Sequence, residues 1–345
     1  MNISKVPVIH QTDLFHSHID PDDHWDLASQ FALAFGGDID LRGVLIDYPP
    51  KVTDLGFVCG DPAISAVNQL NFISGLSVPV AVGNETKVTC DEDVVKVSSM
   101  KPLNSGIAMI FRILEEAKEP VAIHIVGSSR EIAVASMMRP DLFKEKCKSV
   151  YLNAGSAVEN QMEYNVTIDP YSYSKMFKLP CPLYWMPCWH ELEANKAPAV
   201  NTHGTYWRFN QGEILPFLSQ QMQRFFAYAL GKVTDDRWLS YLKYPLNKDT
   251  IEMQSTMRRE MWCTAGFLHA AGKTVTADGE IVPIGTPEIN PVFEFIPINV
   301  VCGDDGRITW EFSDSDNRFI FKILDIENYE TAMTKALKSL ICRLP

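Results

Sequence analysis

The chain has 345 residues, 46% hydrophobic and 21% charged, the make-up of a globular protein able to bury a sizeable core. Its formal net charge of -12, with no Lys/Arg run, argues against nucleic acid as a partner, because backbone phosphates demand a Lys/Arg-rich surface. No apolar stretch is long enough to span a membrane, and Met1 to Gln11 lacks the apolar centre of a secretion signal.

Eight cysteines are scattered at 59, 90, 147, 181, 188, 263, 302 and 342, with no CxxC pair. Reduced thiols and a cytoplasmic location are therefore expected, and the N-x-[ST] matches at Asn84 and Asn165 are accidental.

In chain order, Val6–His10 reads as a strand, followed after a loop by a helix from about Asp22 to Phe35. Asp20 is placed as its N-cap and Pro21 at its first position, with Leu27, Phe31, Ala34 and Phe35 as a core-facing stripe. Gly36-Gly37 ends it. Strands are then expected at 41–46, 78–82, 121–126, 149–153 and 182–186, and helices at 63–73, 105–117, 129–138 and 170–177. Such alternation predicts an α/β fold, a Rossmann-like, open and mostly parallel sheet flanked by helices. Sites in such sheets lie beyond the carboxyl ends of the strands.

The pattern dissolves into a loop over 189–210, and three helices follow at 213–230, 235–244 and 253–271. The tail reads as antiparallel strands at 292–301, 307–312 and 319–323, with a hairpin turn at Gly303-Asp304-Asp305-Gly306 and a last helix at 328–342. The expectation is one domain over 1–345: a core over 1–190, a helical lid region over 191–280, and a C-terminal hairpin and helix over 281–345.

The densest chemical signal is the stretch from Thr12 to Asp26, which lies between the first strand and the first helix. Gathering Asp13, Asp22 and Asp23 at one strand end is costly unless a cation or a proton neutralises them. Hard oxygen donors without cysteine favour Ca²⁺ or Mg²⁺ over Zn²⁺. The same acids also suit a second role, capping the helix and complementing its dipole. His16, His18 and His24 are alternative zinc ligands or plain exposed residues.

These residues resemble the opening motif of the nucleoside hydrolase family, D-x-D-P-G-x-D-D-A entering a helix. Here it stands as Gln11-Thr12-Asp13, an insertion, then Asp22-Asp23, so Gln11 replaces the first aspartate and the Pro-Gly step is absent. The resemblance continues through Val78-Pro79-Val80-Ala81-Val82-Gly83, Gly127 to Ala133, Arg139-Pro140-Asp141 and Tyr151 to Gly155. Glu163-Tyr164-Asn165-Val166-Thr167-Ile168-Asp169-Pro170 is close to the family's E-F-N-x-x-x-D-P. In the C-terminal half, Arg259-Glu260 is the best counterpart of a family His-Asp pair at the start of a late helix.

The resemblance implies calcium-dependent hydrolysis of the N-glycosidic bond of a ribonucleoside through an oxocarbenium-like transition state, giving base and ribose. It implies a Ca²⁺ site made by Asp13, Asp22, Asp23, the backbone carbonyl of Arg130, and Glu260. It assigns Asp13 as general base and Glu163 and Asn165 as holders of the ribose hydroxyls, in a homo-oligomer (dimer or tetramer). Leaving-group help falls to His16, His18 or His203, or to stacking on Trp25, Trp207 or Trp262. The alternative is a non-catalytic relative that keeps the metal and a ribosyl ligand. A phosphatase of the haloacid dehalogenase type needs D-x-D, but Phe15 holds the second position. A Rossmann dehydrogenase needs a G-x-G-x-x-G that does not follow the first strand.

Overall fold

Six parallel strands build the centre of the molecule: β1 (Val6–Thr12), β2 (Ile39–Ile46), β3 (Val80–Val82), β4 (Val121–Ile125), β5 (Cys147–Asn153) and β6 (Leu183–Met186). The computed structural model describes residues 5–17, 20–50, 60–159, 161–189, 202–314 and 317–345. Both faces of β4 are buried, as expected of a parallel strand covered by helices on two sides. The order β3-β2-β1-β4-β5-β6 reverses direction between β1 and β4. This is the switch point of a doubly wound sheet, where a crevice opens beyond the carboxyl ends of the strands.

The C-terminal strands extend this sheet. β7 (Trp207–Asn210) and β8 (Arg258–Met261) form one small antiparallel ribbon, and β9 (Lys273–Val275) and β10 (Ile281–Pro283) form another. β11 (Phe293–Cys302) pairs antiparallel with β12 (Ile308–Phe312) on one side and β13 (Arg318–Ile323) on the other, as expected of antiparallel strands. But β13 also pairs in parallel with β6, so the hairpin completes a nine-stranded mixed sheet.

Several expectations are corrected: the helix expected over 213–230 holds only over Gln220–Leu230 and the one over 235–244 only over Trp238–Tyr241. The helix expected over 253–271 is split into Lys248–Ser255, strand β8 and Thr264–Ala270, because β8 finds a pairing partner in β7. The end of the expected 189–210 loop is β7 itself. Over 190–201 that expectation lies outside the described residues. Helices at Asp91–Ser99 and Pro140–Lys146 were not anticipated.

The first helix, Pro21–Phe35, is buried continuously from Asp23 to Leu33 rather than along one stripe, while Phe35 is 45% exposed. It packs against the last helix, Tyr329–Ile341, and against Gln220–Leu230. Trp25 is fully buried, stacked on Phe226 with centroids 4.0 Å apart and edge-on to Phe209 at 5.1 Å. Full burial of a large apolar side chain stabilises by about 1.5–3 kcal/mol, so this anchor fixes where the acidic first turn points. Among the described residues no helix is long and apolar enough to cross a membrane.

Candidate functional site

A cleft of about 440 Å³ opens beyond the carboxyl ends of the central strands. Each strand delivers part of its wall: Asp20, Asp22 and Asp23 after β1, Val126 after β4, Asn153 and Ser156 at the end of β5, and Cys188 and Trp189 after β6. Glu163, Tyr164 and Asn165 form a further side, and Trp262 and Cys263 close it from the C-terminal half.

The capping role suggested for the acidic residues is only partly met. Asp20 occupies the N-cap position, yet its side chain makes no cap hydrogen bond. Asp23 instead reaches back to β1, accepting from the Thr12 hydroxyl and, at 2.9 Å, from the Asp13 backbone N–H. One carboxylate oxygen each from Asp22, Asp23 and Asp26 lie within 4.8 Å of one another, a spacing that suits a metal ion. Asp26 was not anticipated as part of this group, though its spacing carried the signal: three and four residues after Asp23 and Asp22, it shares their helix face.

Burial raises the carboxyl pKa of Asp13 well above its usual range, and Asp23, Asp20 and Asp47 raise it further. Asp22 is raised by burial, then by Asp20, Asp23 and Asp26, and Asp26 by burial, then by Asp23. Asp23 is pushed up to about 7, by burial and then by Asp20. Such a cluster holds protons or a cation, because several buried carboxylates cannot all stay charged and uncompensated. Both carboxylate oxygens of Asp26 are buried without a well-formed hydrogen bond among the described residues. Donor type, spacing and orphaned oxygens therefore fit a divalent cation.

Behind the cluster lies a polar framework. The Gln11 amide donates to Asp47 at the end of β2 and accepts the Gly127 N–H at 3.2 Å. Asp47 in turn accepts the Ser128 N–H at 2.7 Å. A Cβ on Gly127 would fall 2.8 Å from Asp13 Oδ1 and 2.7 Å from Asp47 Oδ2, so only glycine allows this approach. Sequence reading missed Asp47, although an acid at the carboxyl end of an expected strand beside the switch point was visible.

Arg130 opens the helix Arg130–Met138, and its buried guanidinium pairs with Asp169 at 2.6 Å and donates to the Asn84 carbonyl. Neither Arg130 nor Glu260 lines the cleft. Glu260 sits on β8 opposite Arg208, while the late helix begins at Thr264, which leaves Cys263 next to the acids. Glu163 does line the cleft, its carboxylate accepting the N–H groups of Gly155 and Asn165 at 2.9 Å each. The Asn165 side chain donates to the Val126 carbonyl at 3.3 Å.

Of the aromatic and histidine candidates among the described residues, Trp262 alone lines the cleft, with Trp189 edge-on at 5.6 Å. Trp25 and Trp207 are core residues. His16 is stacked on Tyr228 and bonded to the Val233 carbonyl, and His203 packs on Trp310 and bonds the Phe321 carbonyl. His18 lies outside the described residues.

No family model and no curated protein matches the sequence. Solved structures do match in fold. A plant nucleoside hydrolase, PpNRh1, superposes with a TM-score of 0.51 at 14% identity, over 97% of this chain and 100% of that one. The type III effector protein XopQ, complexed with adenosine diphosphate ribose, superposes with a TM-score of 0.52 at 14% identity, over 98% and 94%. The effector protein XOO4466 gives 0.51 at 14% identity over the same shares. Across nearly its whole length, then, this chain has the fold of the nucleoside hydrolases, in a strongly diverged form.

Proposed function

We propose that the chain is a metal-dependent N-glycosidase that hydrolyses a ribonucleoside to base and ribose, with calcium the ion implied by the resemblance. The observation that carries this reading is the group of Asp22, Asp23 and Asp26 in the helix that follows β1, with Asp22 and Asp23 facing a cleft walled by Glu163 and Asn165. Asp13, Asp22 and Asp23 would hold the ion, which when bound supplies an anchor for the ribose hydroxyls and an acidified water. Asp13 is assigned as the base that takes the water's proton. Glu163 and Asn165 orient the sugar, their backbone-anchored side chains costing little to order. Trp262 and Trp189 offer a surface for the base.

A second reading, a non-catalytic protein that binds a ribosyl ligand, is favoured by Gln11 in place of an acid and by the adenosine diphosphate ribose held by the effector of the same fold. Reducing-sugar release from a panel of nucleosides separates the two readings, with and without chelator, on wild type and Asp13→Ala. Chelator-sensitive release lost in Asp13→Ala supports the hydrolase. No release from any nucleoside while a cation still binds leaves the ligand-binding reading.

A further inference from the structure

We propose that a second cleft, which shares no lining residue with the first, is a binding site for a linear organic diamine, held by carboxylates at its mouth and by buried acceptors on its floor. The site is independent of the N-glycosidase reading, and no nucleoside enters its test.

The cleft has a volume of about 500 Å³ and lies between the loop that leaves β1, the start of the helix Ile64–Ser74, the end of the helix Gln220–Leu230 and the turn that enters the helix Trp238–Tyr241. Its charged wall is Asp61, Asp235 and Asp236, and among the described residues no lysine or arginine lines it. Asp235 is balanced by Arg237, which donates from Nε and Nη2 at 3.0 Å each, whereas Asp61 and Asp236 make no ion pair among the described residues. Both are exposed. The floor is buried and accepts as well. Tyr228 donates its hydroxyl proton to the Asp235 carbonyl at 3.0 Å, which leaves only lone pairs for a ligand. Burial raises the pKa of that hydroxyl, and Asp61, Asp235 and Asp236 raise it further, so all three carboxylates act on one point.

His16 is the independent sign that this wall awaits a donor. It is 5% exposed and lies flat on Tyr228, with ring centroids 5.2 Å apart and planes 4° from parallel. Nε2 is 2.6 Å from the Val233 carbonyl, and since a carbonyl only accepts, Nε2 carries the hydrogen of the neutral ring. Nδ1 is then a lone pair without a partner among the described residues, on a side chain that lines the cleft. An unmet acceptor on a buried side chain is costly, and the carboxylates beside it add a demand for positive charge. An alkyl ammonium answers both, with three donors and no acceptor. A bare metal ion suits the cleft less. Among the described residues, the one group of three or more ligand atoms converging within 4.8 Å is Asp22, Asp23 and Asp26, so the carboxylates here stand too far apart to cage an ion. Two of them lack a counter-charge, which one ammonium at each end of a short chain supplies. Ile64 and Trp238 give the methylenes an apolar wall and the charge an aromatic one.

The test is calorimetry of the whole chain with putrescine, n-butylamine and 1-butanol, in excess Ca²⁺ so that the acidic cluster of the first cleft does not contribute. The expected result is one putrescine per chain, n-butylamine weaker by roughly tenfold, and no heat from 1-butanol. Asp61→Asn and Asp236→Asn should each erase the advantage of the diamine over the monoamine. His16→Phe keeps the ring stack but removes Nδ1, and should weaken both amines by roughly tenfold. The two asparagine variants lie at exposed positions and keep the proposal open to refutation if the phenylalanine variant fails to fold. Heat from 1-butanol equal to that from the amines, or a diamine preference unchanged in both asparagine variants, overturns the site. So does putrescine that binds only when Ca²⁺ is left out, which would place it on the acidic cluster, and so does the absence of any amine binding.

Discussion

The backbone N–H of Asp13 donates to the Asp23 carboxylate at 2.9 Å, tying the end of β1 to the first turn of the helix it feeds. The bond needs an oxygen at position 23 but not a charge. With a folded pKa of about 7 against 3.8 for a free carboxyl, Asp23 contributes stability below about pH 4 that is lost as pH rises through 7. Thermal melts in chelator should show the difference between Asp23→Asn and wild type moving in the variant's favour as pH rises from 4 to 8. The same variant should lose the rise in Tm that a divalent cation gives wild type at pH 8. An Asp23→Asn protein that melts well below wild type in chelator at pH 8 would mean that the charge is compensated within the protein.

Gly127→Ala tests the crowding around Asp13. The added methyl must push aside the carboxylates of Asp13 and Asp47. A cost of about 1–3 kcal/mol is expected from such overpacking, with weaker cation binding. Unchanged cation affinity in calorimetry would separate Asp13 from the metal site.

The buried Arg130–Asp169 pair should be costly to break from one side. Arg130→Met leaves Asp169 buried and uncompensated, a loss of about 3–5 kcal/mol in urea unfolding. Adding Asp169→Leu should restore much of it. A double variant no more stable than the single one would locate the loss in packing around Asn84.

Three histidines inside the fold predict acid sensitivity. Burial pushes His10 down to about 3 and His124 well below its usual value, and burial followed by Lys148 brings His269 to about 4. Groups with a lowered folded pKa leave the protein fully stable above their unfolded value near 6.5, and stability falls as pH drops from there toward 3–4. Each unit of difference is worth about 1.4 kcal/mol, so the decline should be steep. His10→Leu, beside Phe267 in the core, should flatten part of it in melts between pH 7 and 4.

If an aromatic base rests on Trp262, Trp262→Ala should raise KM on the order of ten- to a hundred-fold, the effect of losing one stacked base. A KM within error of wild type, with kcat intact, would move the base elsewhere in the cleft.

The α/β architecture was legible because β-branched runs alternate with helical periodicity from Val6 to Met186. Glu163 and Asn165 were legible as neighbours on one short motif, and both reach the cleft. What sequence alone did not yield depends on pairing at a distance. Arg258–Met261 is strand only because Trp207–Asn210 lies beside it, and reading a helix there hid Cys263 behind Glu260. Gln11 looked like a lost acid, but its amide holds Asp47, whose carboxylate comes from the neighbouring strand.

Asp13, Asp22, Asp23 and Asp26 all belong to one unbroken stretch near the start of the chain. A site so local in sequence closes only a short loop, before any far strand has paired. An ion captured there would act on the order of assembly, giving β1 and its helix a reason to dock before the sheet exists. Its signature would be faster refolding with a nearly constant unfolding rate, the mark of contacts already made at the barrier.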